Sequence, residues 1–181
     1  MGDRSKLKKL LLEKSLVFAP VTLASGKKSN YYIDVRQTAL HAEGLYFIGK
    51  LIFEKLAEGD GVKAIGGPTL GADPICAAVG LYSYLQKKPL HAFIVRKEPK
   101  SHGLSQWIEG TKNLESGMSV ALCEDVVTSG KSLWTAIEKA KEFGLSVKRV
   151  ICIIDRGEGG SEFLNQKGYR LESLFKVQEF F

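Results

Sequence analysis

The sequence predicts an α/β fold with a twisted, mainly parallel sheet flanked by helices. From residue 62 onward, apolar runs and segments with helical spacing alternate in the order strand, helix, strand, loop, strand, helix, strand. The run 118–123 is apolar and partly β-branched, which is typical of a strand covered on both faces. The chain has 181 residues, 44% of them hydrophobic and 25% charged, so it can fold as one globular domain with a substantial core.

The first part of the chain breaks this alternation. Residues 3–15 predict a short helix with leucines on one face, and residues 18–34 alternate around a Gly- and Ser-containing turn, which predicts a hairpin. We therefore expect residues 1–40 to form a small hood over the carboxyl edge of the sheet. Residues 41–160 would then be the α/β core of a single domain that spans residues 1–181.

The core elements follow from periodicity and from turn residues. In order they are a helix at 43–58, a strand at 62–65, a helix at 72–86, a strand at 90–95, a polar loop at 97–113, a strand at 118–123, a helix at 133–143 and a strand at 147–154. A loop of that length in a compact domain is usually functional or mobile. The segment after residue 154 is interpreted as a tail.

The most informative segment is 118–132, which predicts a buried strand, two acidic residues and the start of a helix. Backbone N–H groups and hydroxyls at a helix N-terminus bind phosphate, and the residues that supply them here are Thr128, Ser129, Gly130, Lys131 and Ser132. Glu124 and Asp125 suit hydroxyl groups or a metal ion. The segment therefore predicts a site for a phosphorylated sugar at the carboxyl end of the strand. The alternative is an ordinary helix cap rich in Thr and Ser.

The charge of the chain does not by itself indicate nucleic-acid binding. The net charge is +6, but the Lys and Arg residues are dispersed. One basic cluster stands out, formed by Arg96, Lys97, Lys100 and His102 on a loop that contains Pro and Gly. Such a loop can close over a polyanionic small substrate, exclude water and stabilise departing charge. The alternative is a solvated charged loop.

The sequence also indicates the cellular compartment in which the protein works. No apolar run approaches the ~18 residues of a membrane-spanning helix, and the first residues lack the apolar core of a secretory signal. Cys76, Cys123 and Cys152 are widely spaced among apolar neighbours, as expected of buried thiols in a reducing cytosol. We therefore expect a cytoplasmic protein that binds no membrane.

Five segments in order along the chain resemble the motifs of one enzyme family. They are 22–34 (TLASGKKSNYYID), 66–74 (GGPTLGADP), 96–103 (RKEPKSHG), 124–130 (EDVVTSG) and 153–156 (IIDR). In these segments the chain is similar to the orotate phosphoribosyltransferases, which have the type I phosphoribosyltransferase fold. Each motif is weak alone, but their joint order makes a chance match improbable.

The resemblance implies a reaction. The 5-phosphoribosyl group would pass from phosphoribosyl pyrophosphate (PRPP) to orotate, giving orotidine 5′-monophosphate and pyrophosphate in pyrimidine (UMP) biosynthesis. Mg²⁺ is the implied cofactor, held mostly by substrate and water, with Glu124 and Asp125 as candidate ligands. The implied partners are the two substrates and a second copy of the chain, in a homodimer that shares the 97–113 loop, Lys97 in particular, across its interface. Nucleic acid is not among the expected partners.

The resemblance also assigns site residues. Lys97, Lys100, His102 and Asp125 would be catalytic. The PRPP contacts would come from Arg96, Lys97, Lys100, His102, Glu124, Asp125, Val126, Val127, Thr128, Ser129, Gly130, Lys131, Ser132 and Thr69. Orotate would be held by Thr128, Arg156, Tyr31 and Tyr32, since a guanidinium fork matches a planar carboxylate and an aromatic ring can stack on a pyrimidine. From the residues alone, Arg156 could equally form a surface ion pair with Asp155 or Glu158.

The chain departs from the family pattern at several positions. Ala24 stands where some members carry a ligand-contacting Lys, and the loop at 69–71 lacks a cation that some members have there. The acidic pair is Glu124-Asp125 instead of Asp-Asp. These departures suggest another branch of the family or a shifted base preference. Two alternatives stay open, the second of which the net charge of +6 permits. One is a phosphoribosyltransferase for a purine base, and the other is a non-catalytic PRPP-sensing regulator that binds nucleic acid.

Overall fold

The computed structural model describes residues 2–22, 28–59, 61–99 and 106–181. Helices are α1 (Asp3–Lys14), α2 (Arg36–Ala39), α3 (Ala42–Ala57), α4 (Ala72–Leu85), α5 (Lys131–Glu142) and α6 (Gly160–Gln166), with 3-10 turns at Thr111–Asn113 and Val177–Phe180. Strands are β1 (Leu16–Val17), β2 (Val21–Thr22), β3 (Lys28–Ser29), β4 (Tyr32–Ile33), β5 (Ala64–Pro68), β6 (His91–Val95), β7 (Ile108–Glu109), β8 (Ser119–Val127), β9 (Ser146–Asp155) and β10 (Leu171–Lys176).

Six strands form one twisted sheet in the order β10-β9-β8-β5-β6-β7. All neighbouring pairs are parallel except β6 and β7, so the predicted mainly parallel sheet is confirmed. The chain leaves β5 toward β6 and later returns to β8 on the other side of β5. The strand order therefore reverses beside β5, and open α/β sheets bind ligands in the crevice at such a reversal.

The core has two parts, one on each face of the sheet. Side chains of α1, α3 and α4 pack against one face, and side chains of α5 and α6 pack against the other. Buried residues of β8 and β9 belong to both parts of the core, which is why the middle of each strand is apolar. Both faces of the sheet are thus covered, and the carboxyl edge between α4 and α5 is where a ligand can enter.

The predicted hairpin is present near the start of the chain. Strand β1 pairs antiparallel with β4, and β2 pairs antiparallel with β3. The predicted turn spans residues 25–30. Residues 25–27 lie outside the described residues, as does Ala24, whereas Lys28 and Ser29 form β3 and not a turn. After β4 the chain continues at Asp34 and Arg36 along the carboxyl edge of the large sheet, beside Thr69 and Asp125.

Four boundaries differ from the sequence predictions. The strand predicted at 62–65 is β5 at Ala64–Pro68, so Gly66 and Gly67 lie in the strand and not in a loop after it. The 97–113 segment is not all loop, because Ile108 is buried and pairs with β6 in the edge strand β7. The segment after residue 154 is not a tail, since it contains α6 and the edge strand β10. Strand β8 continues to Val127, so the acidic pair lies within the strand and not after it. Short edge elements and polar strand ends lack the apolar periodicity on which the predictions were based.

The three cysteines are free and buried, as predicted. No helix within the described ranges is long and apolar enough to cross a membrane.

Candidate active site

A cavity of about 470 Å³ opens at the carboxyl ends of β5, β6 and β8. Seven of the predicted site residues line it, namely Thr69, Arg96, Lys97, Glu124, Asp125, Val126 and Ser132. Two charged residues that the sequence analysis did not select, Asp34 and Arg36, also line it. The cavity therefore combines carboxylates, cations and hydroxyls at the edge of the sheet where a ligand is expected.

Glu124 is a buried carboxyl group in this cavity. The Ser132 hydroxyl donates a hydrogen bond to its Oε1, while Oε2 is buried and has no hydrogen-bond partner among the described residues. Removal from water raises the pKa of Glu124 to about 7, and the neighbouring charge of Asp125 contributes in the same direction. The side chain can thus change protonation state near neutral pH, and Oε2 is available to a ligand hydroxyl or a cation.

Asp125 points toward the loop that follows β5. Burial raises its pKa, while the backbone N–H of Val126, which donates to Oδ1 at 2.9 Å, and the charge of Arg36 oppose that rise. A Cβ at Gly71 would overlap the Asp125 carboxyl group, so glycine is needed there for close approach. In the same loop, the hydroxyl of Thr69 donates to Asp73 at 2.7 Å.

The start of α5 supplies free backbone amides next to the acidic pair. Gly130 precedes the helix with a φ of 75°, a left-handed conformation that favours glycine, and no described side chain caps the first turn through a hydrogen bond. Thr128 and Ser129 therefore do not serve as side-chain caps, contrary to the alternative of an ordinary helix cap. The uncapped helix start remains a place where an anion can bind.

Burial limits the predicted contact of Val127 with PRPP. Val127 is fully buried in the core, so its side chain cannot touch a ligand. Its carbonyl oxygen accepts a hydrogen bond from the backbone N–H of Arg156 at 3.0 Å, which ties the end of β9 to the end of β8. Any contact of Val127 with PRPP would have to come from its remaining backbone atoms.

The cationic side of the cavity follows β6. Arg96 forms an ion pair with Glu109 at 3.0 Å, and its backbone N–H donates to the carbonyl oxygen of Trp107 at 2.8 Å. These contacts join the two ends of the 97–106 segment. Lys97 is exposed at the cavity, whereas Lys100 and His102 lie outside the described residues, so their predicted roles stay predictions.

Arg36 is the charged residue that the sequence analysis missed. Its Nε lies 2.7 Å from Asp34 Oδ1, and this contact holds the guanidinium at the cavity and raises the pKa of Arg36. The Coulombic attraction of Asp125 acts on Arg36 in the same direction. An Asp-x-Arg triplet at the end of the predicted hairpin was the only signal in the sequence.

The residues predicted to hold orotate are not on the lining of the cavity. Arg156 follows β9 and is 9% exposed. Its Nε is 2.8 Å from Glu158 Oε1, and its guanidinium lies over the Tyr31 ring at 4.9 Å from the centroid. Tyr32 is exposed on β4, and Thr128 is half-buried at the end of β8. The ion pair with Glu158, one of the two alternatives for Arg156, is thus present.

Comparison with known proteins identifies the family. No model of a known protein family matches the chain. An orotate phosphoribosyltransferase of Aquifex aeolicus is 45% identical over 99% of this chain and 98% of its own length. The chain belongs to the orotate phosphoribosyltransferase family. A second relative with that name, from Sorangium cellulosum, is 41% identical over 99% of this chain and 93% of its own.

Solved structures agree with this assignment. The orotate phosphoribosyltransferase of Mycobacterium tuberculosis, solved with Fe(III) dicitrate, superimposes with a TM-score of 0.86 at 36% identity, covering 99% of both chains. The same enzyme solved with PRPP gives a TM-score of 0.82 at 33% identity over 99% of both chains. The chain therefore has the type I phosphoribosyltransferase fold and is a phosphoribosyltransferase, an enzyme of the glycosyltransferase type. This excludes the non-catalytic regulator as an alternative.

Proposed function

We propose that this orotate phosphoribosyltransferase family member transfers phosphoribosyl from PRPP to orotate N1 in UMP biosynthesis, with Mg²⁺ as cofactor. The observation that carries the proposal is the cavity itself, where three kinds of group meet at one sheet edge. They are Ser132 in the uncapped first turn of α5, the carboxyl groups of the buried Glu124 and the half-buried Asp125, and the cations Arg36, Arg96 and Lys97. PRPP carries a phosphate at one end of its ribose and a pyrophosphate at the other. Its chemistry therefore matches the three kinds of group in the cavity.

In this proposal each part of the cavity holds one part of PRPP. The amides and hydroxyls of residues 128–132 bind the 5′-phosphate. Glu124 and Asp125 bind the ribose hydroxyls. Arg96 and Lys97, together with Lys100 and His102, bind the pyrophosphate. The reacting carbon of the ribose then lies between the acidic pair and the cations.

Positioning and charge stabilisation supply most of the rate in this mechanism. The bond from ribose C1 to the pyrophosphate oxygen breaks, and its electron pair leaves with pyrophosphate. Orotate N1 forms the new bond to C1 and loses its proton, which passes to pyrophosphate or to water. Positive charge that develops on the ribose ring is stabilised by the Asp125 carboxylate, and negative charge on the leaving group is stabilised by the cationic loop. Arg156 and Thr128 orient orotate through its carboxylate.

The residues present fit Mg²⁺ only as an ion held largely by substrate and water. No group of three or more His, Cys, Asp or Glu side chains that could hold a metal occurs in the described ranges. Glu124 and Asp125 offer hard oxygen atoms, and Glu124 Oε2 has no described partner. When bound, Mg²⁺ would neutralise pyrophosphate charge and orient the ribose.

The setting of the reaction also belongs to the proposal. We place the enzyme in the cytoplasm, where PRPP and orotate are available.

We further propose a homodimer in which the 97–113 loop of one subunit, through Lys97, reaches the active site of the other. Size-exclusion chromatography with light scattering tests this state, and a monomer with full activity would contradict it.

The loop cations should act mainly in the transition state. We expect Lys100→Ala to lower kcat by about 10²-fold or more while the KM for PRPP changes much less, because the lysine pairs with charge that develops on the leaving pyrophosphate. Steady-state kinetics with orotate and PRPP measure both constants. Activity equal to that of the unsubstituted enzyme would remove the proposed role of the loop.

Arg36 should contribute to PRPP binding from the side of Asp125. We expect Arg36→Ala to raise the KM for PRPP by about 10- to 100-fold, as the loss of one charge-assisted contact costs roughly 1.5–3 kcal/mol. The matched control is Arg170→Ala, which removes an exposed arginine just before β10, at the amino end of the sheet. Equal effects of the two substitutions on the KM for PRPP would count against a specific role of Arg36.

Base selectivity tests the proposed function as a whole. The purified protein is incubated with PRPP, Mg²⁺ and one of orotate, uracil, adenine, guanine or hypoxanthine, and pyrophosphate release is followed. We expect release with orotate and little with the purines. Release with a purine and not with orotate would establish the remaining alternative, a purine phosphoribosyltransferase.

A further inference from the structure

Arg156 sits in a small aromatic and acidic cage at the end of β9. The Tyr31 ring lies beneath its guanidinium at 4.9 Å, and Glu158 Oε1 lies 2.8 Å from its Nε. The contact with Glu158 is an ion pair without hydrogen-bond geometry at Nε, so it attracts the guanidinium, and the ring restricts its tilt. A bidentate contact to a planar carboxylate requires a fixed orientation of the guanidinium.

The Tyr31 ring is itself held from a second direction. Phe181 packs on it with ring centroids 5.0 Å apart and an interplanar angle of 57°, and Phe18 packs on Phe181 at 5.6 Å in an edge-to-face arrangement. The backbone of Tyr31 is fixed too, because the Ser29 hydroxyl donates to its carbonyl oxygen at 2.7 Å. One continuous stack thus runs from Phe18 through Phe181 and Tyr31 to Arg156.

This stack is anchored to the core although part of it is exposed. Phe181 is 68% exposed and Phe18 is 55% exposed. The neighbouring Phe180 is buried and packs on Phe175 of β10 at 5.6 Å, which fixes the backbone from which Phe181 projects. The Phe181 ring contacts the rings of Phe18 and Tyr31, so its path to Arg156 passes through Tyr31.

We infer that Tyr31 and Phe181 are positioning residues that orient the Arg156 guanidinium for the carboxylate of the acceptor base. The inference rests on the proposed function, in which Arg156 binds orotate. It replaces the predicted stacking of Tyr31 on the pyrimidine with an action through Arg156, because the guanidinium already covers the Tyr31 ring. Cation–π contacts of this kind strengthen when the cation is partly removed from water, as the buried Arg156 is.

The test separates acceptor binding from donor binding. We expect Phe181→Ala to raise the KM for orotate about 3- to 10-fold, with kcat and the KM for PRPP within about twofold of the unsubstituted enzyme. Tyr31→Ala should raise the KM for orotate more than Phe181→Ala does. Arg156→Ala should raise it most, because that substitution removes the guanidinium itself. Phe181→Tyr and Tyr31→Phe keep the rings and should restore orotate affinity.

A matched control uses an exposed aromatic residue away from the site. Phe143 is 40% exposed at the far end of α5, roughly 18 Å along the helix from its start. Phe143→Ala should leave both KM values unchanged. The midpoint of thermal unfolding is recorded for every variant, and Phe181→Leu serves as a second variant that keeps apolar volume without a ring.

The outcomes distinguish this inference from the proposed function. If the unsubstituted enzyme uses orotate but Phe181→Ala and Phe181→Leu leave the KM for orotate unchanged, the positioning role is wrong and the function stands. A parallel rise in the KM for both substrates would also overturn it, because that pattern indicates general loosening of the fold. If the unsubstituted enzyme does not use orotate, the proposed function fails and this inference fails with it.

Discussion

Asp125→Asn is expected to lower kcat by about 10²- to 10³-fold, the usual effect of removing one preorganised electrostatic group from a catalytic site. The substitution keeps the shape of the side chain, which fits closely against Gly71, and removes its negative charge. The charge matters most when the ribose ring becomes positive, so the KM for PRPP should change by less than tenfold. Steady-state kinetics over a range of PRPP concentrations measure both constants.

A matched control removes an acid outside the cavity. Asp3 is in α1 and forms an ion pair with Lys50 at 2.6 Å. Asp3→Asn should leave kcat unchanged. A kcat for Asp125→Asn within about threefold of the unsubstituted enzyme would show that the charge of Asp125 does not stabilise the transition state.

Glu124→Gln is expected to stabilise the fold at alkaline pH. The pKa of Glu124 rises from 4.5 to about 7 on folding, chiefly because the carboxyl group is buried. Below pH 4.5 the group is protonated in both states and has no effect. As pH rises through the window from 4.5 to 7, the unfolded chain loses the proton first, so the folded state loses stability, by up to about 3 kcal/mol above pH 7. Glutamine cannot ionise and avoids this loss.

The measurement is urea unfolding of both proteins between pH 5 and pH 8.5. The free-energy advantage of Glu124→Gln should grow with pH and level off above about pH 7.5. Glu172→Gln is a control of opposite sign, because the hydrogen bond and charge of Arg149 lower the pKa of Glu172 and its ionised form stabilises the fold. If the difference in free energy of unfolding between Glu124→Gln and the unsubstituted protein did not change with pH, folding would not raise the pKa of Glu124.

The buried part of the site was predictable from the sequence for a physical reason. A strand covered on both faces must be apolar along its length, so the two acids at the end of β8 stand out against their neighbours. The glycine and hydroxyl residues that follow mark the start of α5. Local pattern alone therefore located Glu124, Asp125 and Ser132, and the structure places all three on one cavity.

The remaining parts depend on contacts between distant segments. Arg36 is far from Asp125 in sequence, and only the path of the chain after β4 brings both to one cavity. The stacking of Arg156 on Tyr31 joins residues from opposite ends of the chain, and no local spacing indicates it. The edge elements α6 and β10 are short and mixed in polarity, so tertiary packing, which the sequence pattern does not display, decides their structure.

The central claim is that the carboxyl edge of β5, β6 and β8 binds PRPP. A crystal structure with PRPP and Mg²⁺ tests it most directly. We expect the 5′-phosphate on the amides of residues 128–132, the ribose hydroxyls at Glu124 and Asp125, and the pyrophosphate toward Arg96 and Lys97. Well-defined PRPP bound elsewhere on the protein, with this cavity containing only water, would contradict it.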